Sequence, residues 1–206
     1  IYQDPSRCLD PTATILEQML ESIPADQLSG SYREKKKQRH ERVVALLHKV
    51  GIKNHESCLN NYPHMLSEGY CQKIMIAMAI AKKQKLLIAD EPTTSLDVTI
   101  QLQYLNLLKK IQEETNLAII FITHDFGIAA NMCDRVAVMY AGKIVERGMA
   151  TELFRAPQHP YTRALMHSIP SVEEKVDQLN FIEGEPPRLY DLPEGCAFKP
   201  RCTEQV

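Results

Sequence analysis

A chain of 206 residues can bury a full core, and 44% hydrophobic with 24% charged residues is the composition of an ordinary globular protein. The formal charge of −2 gives no global basic field, so nucleic acid is not an expected partner. No apolar run reaches the ~18 to 20 residues that cross a bilayer, so any membrane role must come through a partner. Six cysteines at irregular spacings, with no secretory segment at the start, fit a reducing cytosolic compartment rather than a disulfide framework.

In chain order, Ile1 to Pro5 reads as the tail of a strand entering a loop marked by proline. Ile15, Leu16, Met19, Leu20 and Ile23 then follow helical spacing from Thr12 to Ile23, and Pro24 closes that helix. The stretch from Arg33 to Val50 predicts a second helix, basic from Arg33 to Arg42 and apolar beyond Val43, with Gly51 as its C′ residue. The basic run reads as a solvated helix face. After Asn60, Asn61 and Pro63, the residues Leu66 to Gln72 lead into a small-residue helix reaching Ala81. It could be buried nearly all round, with Ser67 as its N-cap. A helix start with free N–H groups and a glycine attracts phosphate.

Leu86 to Ala89 reads as a strand buried on both faces, after which Asp90 and Glu91 appear just where Pro92 must end regular pairing. Ligands of open α/β sheets bind outside the carboxyl ends of the strands, where a metal and a polarised water would both find an acid. A helix from about Thr99 to Glu114 and an apolar strand from Leu117 to Ile122 complete a parallel βαβ unit, which delivers His124 to the same edge. Arg135 to Tyr140 and Lys143 to Arg147 predict a hairpin joined at Ala141 and Gly142. Past Gly148 seven prolines punctuate an extension with one helix candidate, Tyr161 to Ile169.

Together these stretches resemble the nucleotide-binding subunit of an ATP-binding cassette (ABC) transporter over essentially the whole chain. Gln3 matches the Q-loop glutamine, Leu66 to Gln72 the signature motif, Leu86 to Glu91 the Walker B strand, Ser95 to Asp97 the D-loop, and His124 the switch histidine. Gln158 to Leu165 and Gly195 to Cys202 resemble the C-terminal extension of dipeptide and oligopeptide importers, with nickel importers as close relatives. The resemblance implies an α/β fold with a P-loop NTPase-like (RecA-like) parallel sheet. It also implies an inserted helical subdomain over 6–66, the signature helix and core over 67–150, and the extension over 151–206.

By the same resemblance, Asp90 and Gln3 serve Mg²⁺, Glu91 polarises the attacking water, and His124 contacts the γ-phosphate. Gln3, Ser67, Glu68, Gly69, Gln72, Asp90 and Asp97 form the ATP-binding set, with Asp97 at the dimer interface. The implied partners are a second ABC ATPase subunit, transmembrane permease subunits and an extracytoplasmic peptide-binding protein. The implied location is the cytoplasmic face of the inner membrane. Cys196 and Cys202 supply two of the thiolates that an iron–sulfur cluster would need.

Two departures stand out. The phosphate-cradling loop G-x-x-x-x-G-K-[ST] is absent, so the chain reads as a piece cut just before Gln3, unable to bind ATP well alone. Glu68 replaces a glycine of the usual signature, which predicts a weakened composite site. A non-catalytic regulatory cassette paired with an active ATPase is the competing reading.

Overall fold

The computed structural model describes residues 1–168 and 181–204. The chain divides into two compact units, 1–124 and 125–206.

Unit 1 opens with a short helix α1 (Pro5–Cys8), where the sequence reads as loop, followed by α2 (Ile15–Ser22) and α3 (Tyr32–Lys49). Both longer helices start in capping boxes. Thr14 and Ser31 accept hydrogen bonds from the N–H groups of Glu17 and Glu34, whose carboxylates bond back to the cap residues. Helix α3 ends in a Schellman motif, in which Gly51 (φ +82°) donates to His48 O at 3.0 Å and Ile52 donates to Leu47 O at 2.8 Å. A short α4 (His55–Leu59) follows, and then α5 (Glu68–Ala81). From Cys71 to Ala81 no residue of α5 is exposed, as its small-residue composition predicts. Ser67 occupies the N-cap position with extended backbone, yet its hydroxyl makes no capping bond. The expected side-chain cap is therefore absent, and the first turn is held by Ser67 O accepting from Tyr70 and Cys71.

The strand β1 (Leu86–Asp90), the helix α6 (Val98–Thr115) and the strand β2 (Ala118–Ile122) form the predicted parallel βαβ unit, paired Leu86 with Ala118 through Asp90 with Ile122. Backbone bonds between Ile1 and both Ile88 and Asp90 place the first residue alongside β1, on the edge opposite β2. The expectation of a strand buried on both faces is corrected. Leu87 and Ala89 are buried, whereas Leu86 and Ile88 are about half exposed, as are Ile120 and Ile122 of β2. A continuous apolar run does not reveal whether one face or both are covered.

The core of unit 1 takes Ile15 and Met19 from α2, Val43 and Leu47 from α3, Ile74 and Ile76 from α5, and Leu108 and Ile111 from α6. Tyr104 of α6 is 1% exposed, and its hydroxyl has no hydrogen-bond partner among the described residues. Burial raises its phenolic pKa. An unpaired buried hydroxyl costs its full desolvation, so Tyr104→Phe will leave stability unchanged or raise it by about 1 kcal/mol in urea unfolding. Tyr104→Ala will lower it by about 3–5 kcal/mol.

Unit 2 begins with α7 (Phe126–Met132) and the antiparallel hairpin β3 (Arg135–Tyr140) and β4 (Lys143–Met149). Ala141 (φ +46°) and Gly142 (φ +76°) make its turn, the two left-handed positions that a tight hairpin demands. Two helices follow, α8 (Ala150–Arg155) and α9 (Pro160–His167); Ile169, the expected end of the second, lies outside the described residues. The extension packs on the hairpin through buried Tyr140, Ala197 and Phe198. Arg201 ties it down, donating to Glu183 O and Ile182 O, each at 2.7 Å, and to the Tyr140 hydroxyl at 3.2 Å. Among the described residues no helix is long and apolar enough to cross a membrane.

Candidate active site

The βαβ unit positions the site. Strand β1 ends at Asp90, whose N–H is held by Ile1 O at 2.9 Å, and the next residue turns sharply. Glu91 has φ +41°, a left-handed conformation that costs a non-glycine residue roughly 1–2 kcal/mol. Its N–H donates to Ile122 O at 2.9 Å, so the strained turn is pinned to the end of β2.

The turn aims the Glu91 carboxylate into a cluster. Gln3 Nε2 donates to Oε2 at 3.1 Å, Thr94 Oγ1 donates to the same oxygen at 3.1 Å, and His124 Nδ1 lies 3.3 Å from Oε1. A carboxylate only accepts, so the His124 contact requires the proton on Nδ1 and leaves Nε2 of the neutral ring free to accept elsewhere. Three sequence positions separated by as many as 121 residues thus converge on one group. Glu91 is itself half-buried, and Asp90 stands exposed beside it. These are hard oxygen donors, the set that suits Mg²⁺.

The other candidate residues sit differently. Asp97 N-caps α6, its Oδ1 accepting from Thr99 N at 2.9 Å and Ile100 N at 3.0 Å. Ser67 and Glu68 are exposed at the start of α5, and Glu68 lines an open groove of about 530 Å³ shared with Gln3, Thr94 and Ser95. Gly69 lies so near α6 that a Cβ there would meet Ile100 Cγ2 at 3.0 Å. Gln72 is completely buried, and neither its Oε1 nor its Nε2 has a partner among the described residues. Beside it, burial pushes the Cys71 thiol up to about 11, helped by Cys58 and Glu68.

In unit 2, Cys196 Sγ lies 3.6 Å from His159 Nε2, while His159 Nδ1 accepts from Tyr161 N. Cys202 packs against the aromatic cluster. Among the described residues no group of three or more His, Cys, Asp or Glu side chains could hold a metal ion. Sequence reasoning missed Thr94 and the left-handed turn. The only available signal was the three-residue spacing from Glu91 in a stretch that Pro92 excludes from regular pairing.

Residues 1–94 match the family model described as ABC transporter. The chain belongs to the ATP-binding family of ABC transporters, with the α/β fold of their cassettes. Its branch follows from the other end, where residues 145–206 match the model described as "Oligopeptide/dipeptide transporter, C-terminal region".

The dipeptide transport ATP-binding protein DppD of Haemophilus influenzae is 47% identical over 98% of this chain and 60% of its own length. The oligopeptide transport ATP-binding protein AppD of Bacillus subtilis is 46% identical over 100% of this chain and 61% of its own. The chain therefore spans about three fifths of the curated relatives it matches. Among solved structures, cbiO1 of Clostridium perfringens, part of the ABC transporter complex cbiONQ, superposes with a TM-score of 0.63 at 29% identity, over 76% of this chain and 58% of that one. A dimeric ATP-binding cassette in a post-hydrolysis state with ADP and Pi gives 0.59 at 26% identity, over 72% and 62%.

Proposed function

We propose that the chain is part of an ATP-hydrolysing subunit that powers import of dipeptides or oligopeptides across the cytoplasmic membrane. The observation that carries the reading is the Glu91 carboxylate, held by Gln3, Thr94 and His124 beside the open carboxylate of Asp90. A regulatory cassette that hydrolyses nothing has no need of that construction.

In this reading Asp90 and Gln3 hold Mg²⁺, which when bound neutralises charge on the phosphate oxygens. Glu91 orients the attacking water and takes its proton as the bond to the γ-phosphorus forms and the bond to the ADP oxygen breaks. His124 fixes the Glu91 carboxylate through Nδ1–H, and with a proton on Nε2 as well it donates that second N–H to a phosphate oxygen. Ser67, Glu68 and Gly69 face the nucleotide of a second ATPase subunit. Gln72, as a buried residue, positions α5 rather than touching ligand, and Asp97 sets the start of α6 at the subunit interface. The subunit works peripherally at the cytoplasmic face with permease subunits and an extracytoplasmic peptide-binding protein. Cys196 and Cys202 provide two thiols toward an iron–sulfur cluster, fewer than the four that such a cluster takes.

The test is ATP turnover by the full-length subunit assembled with its permease. Stimulation by peptide-loaded binding protein supports the reading. Stimulation by nickel instead of peptide assigns the cargo to the neighbouring branch, and turnover carried wholly by the partner ATPase assigns this subunit to regulation.

A further inference from the structure

The one motif that the proposed activity leaves unused is the basic run of α3. Between Arg33 and Arg42 stand six Lys or Arg against two Glu, a formal +4 within a chain of −2. Its acids are already engaged, since Glu34 closes the capping box on Ser31 and Glu41 lies 3.8 Å from Lys37. Arg42 is turned back onto Gln27 at 2.7 and 2.9 Å. Arg33, Lys35 and Lys36 are exposed, with no acidic partner among the described residues. Tyr32 at the head of the helix is 83% exposed.

The placement of these cations on the helix is informative. Lys36, Arg39 and His40 stand seven, four and three residues before buried Val43, so they share the stripe that Val43 and Leu47 bury in the second half. The stripe changes from apolar to cationic where the protein ceases to cover it. Lys36 and His40 are exposed and Arg39 is half-buried. A partner that fits this stripe is anionic. The segment from Arg33 to Arg42 has no aliphatic side chain to insert into hydrocarbon and no Phe, Tyr or Trp on which bases could stack. The chemistry that fits is a layer of phosphate groups touched from outside.

We propose that the first three turns of α3 are an electrostatic contact with anionic phospholipid headgroups, made by Arg33, Lys36 and Lys37, which with His40 share the face that Val43 and Leu47 bury further along the helix. The choice of a lipid surface rests on the proposed role at a membrane, whereas the cationic stripe itself does not. Each cation near an anionic bilayer multiplies partitioning about fivefold, so a cluster of three gives salt-sensitive adsorption without insertion.

The experiment is co-sedimentation of the full-length subunit with vesicles of phosphatidylcholine alone or with added phosphatidylglycerol, at low and high salt. Neither ATP nor permease is needed, so the result is independent of whether the subunit hydrolyses ATP. Binding should require phosphatidylglycerol and vanish at high salt. The triple change R33Q, K36Q, K37Q should weaken it about a hundredfold with the thermal unfolding curve unchanged, because these side chains are on the surface. Equal binding to both vesicle types, or equal binding by the variant, overturns the proposal. So does tighter binding of a DNA oligonucleotide than of the anionic vesicles, which reassigns the stripe to nucleic acid.

Discussion

Glu91→Gln in the full-length subunit is expected to lower ATP turnover by about 10³-fold while ATP binding, measured by nucleotide titration, changes little. Gln keeps the size of Glu and can still accept from Gln3 and Thr94, the two donors on Oε2. It lacks the capacity to take a proton, and positioned proton transfer contributes roughly 10²–10⁴-fold. The left-handed turn at Glu91 is a backbone property and survives the change, so a fall in rate is chemical rather than structural. Near-normal turnover by the variant would remove Glu91 from the role of base and shift attention to His124, 3.3 Å away.

The second large effect is a gain. Glu68→Gly should raise turnover at the composite site that uses this α5 by about tenfold, from relief of like-charge repulsion against the nucleotide at a partly solvated position. Glu68 is exposed at the first position of α5 and lines the groove with Gln3 and Ser95, so its removal opens no cavity in the core. A carboxylate at a helix start also interacts favourably with the helix dipole, and glycine is a poor helix former. The same change should therefore cost about 1 kcal/mol of stability. Turnover and unfolding midpoint thus move in opposite directions. If the midpoint falls and turnover is unmoved in both sites, Glu68 points to solvent and has no part in the site.

The parts of this fold that were legible in the sequence are those governed by local chemistry. The 3.6-residue spacing of Ile15 and Met19, the glycine after Val50, and the Ala141–Gly142 turn each specify their own geometry within a few residues. The capping boxes at Thr14 and Ser31 stand in the sequence as Thr-x-x-Glu and Ser-x-x-Glu, whereas helical spacing alone starts the first helix at Thr12, three residues before Ile15, and the second at Arg33, one after Tyr32. The burial of β1 was not legible. LLIA reads the same whether one face or two are covered, and only the packing decides.

The same division holds for the site. Asp90, Glu91 and His124 could be placed on one edge because a parallel βαβ unit brings strand ends together. Which of them would become the hub could not be read, because that depends on a backbone angle at Glu91 that no residue preference announces. Gln72 shows the converse limit. Its place in a recognised motif suggests ligand contact, and its complete burial shows a side chain enclosed by its own unit.

The Glu91 carboxylate also has a finite capacity. Two oxygens offer about four lone-pair directions, and Gln3, Thr94 and His124 take three of them. One acceptor direction is left over. In the proposed role that is room for a single water, so the group that prepares the nucleophile also meters it, one molecule per turnover.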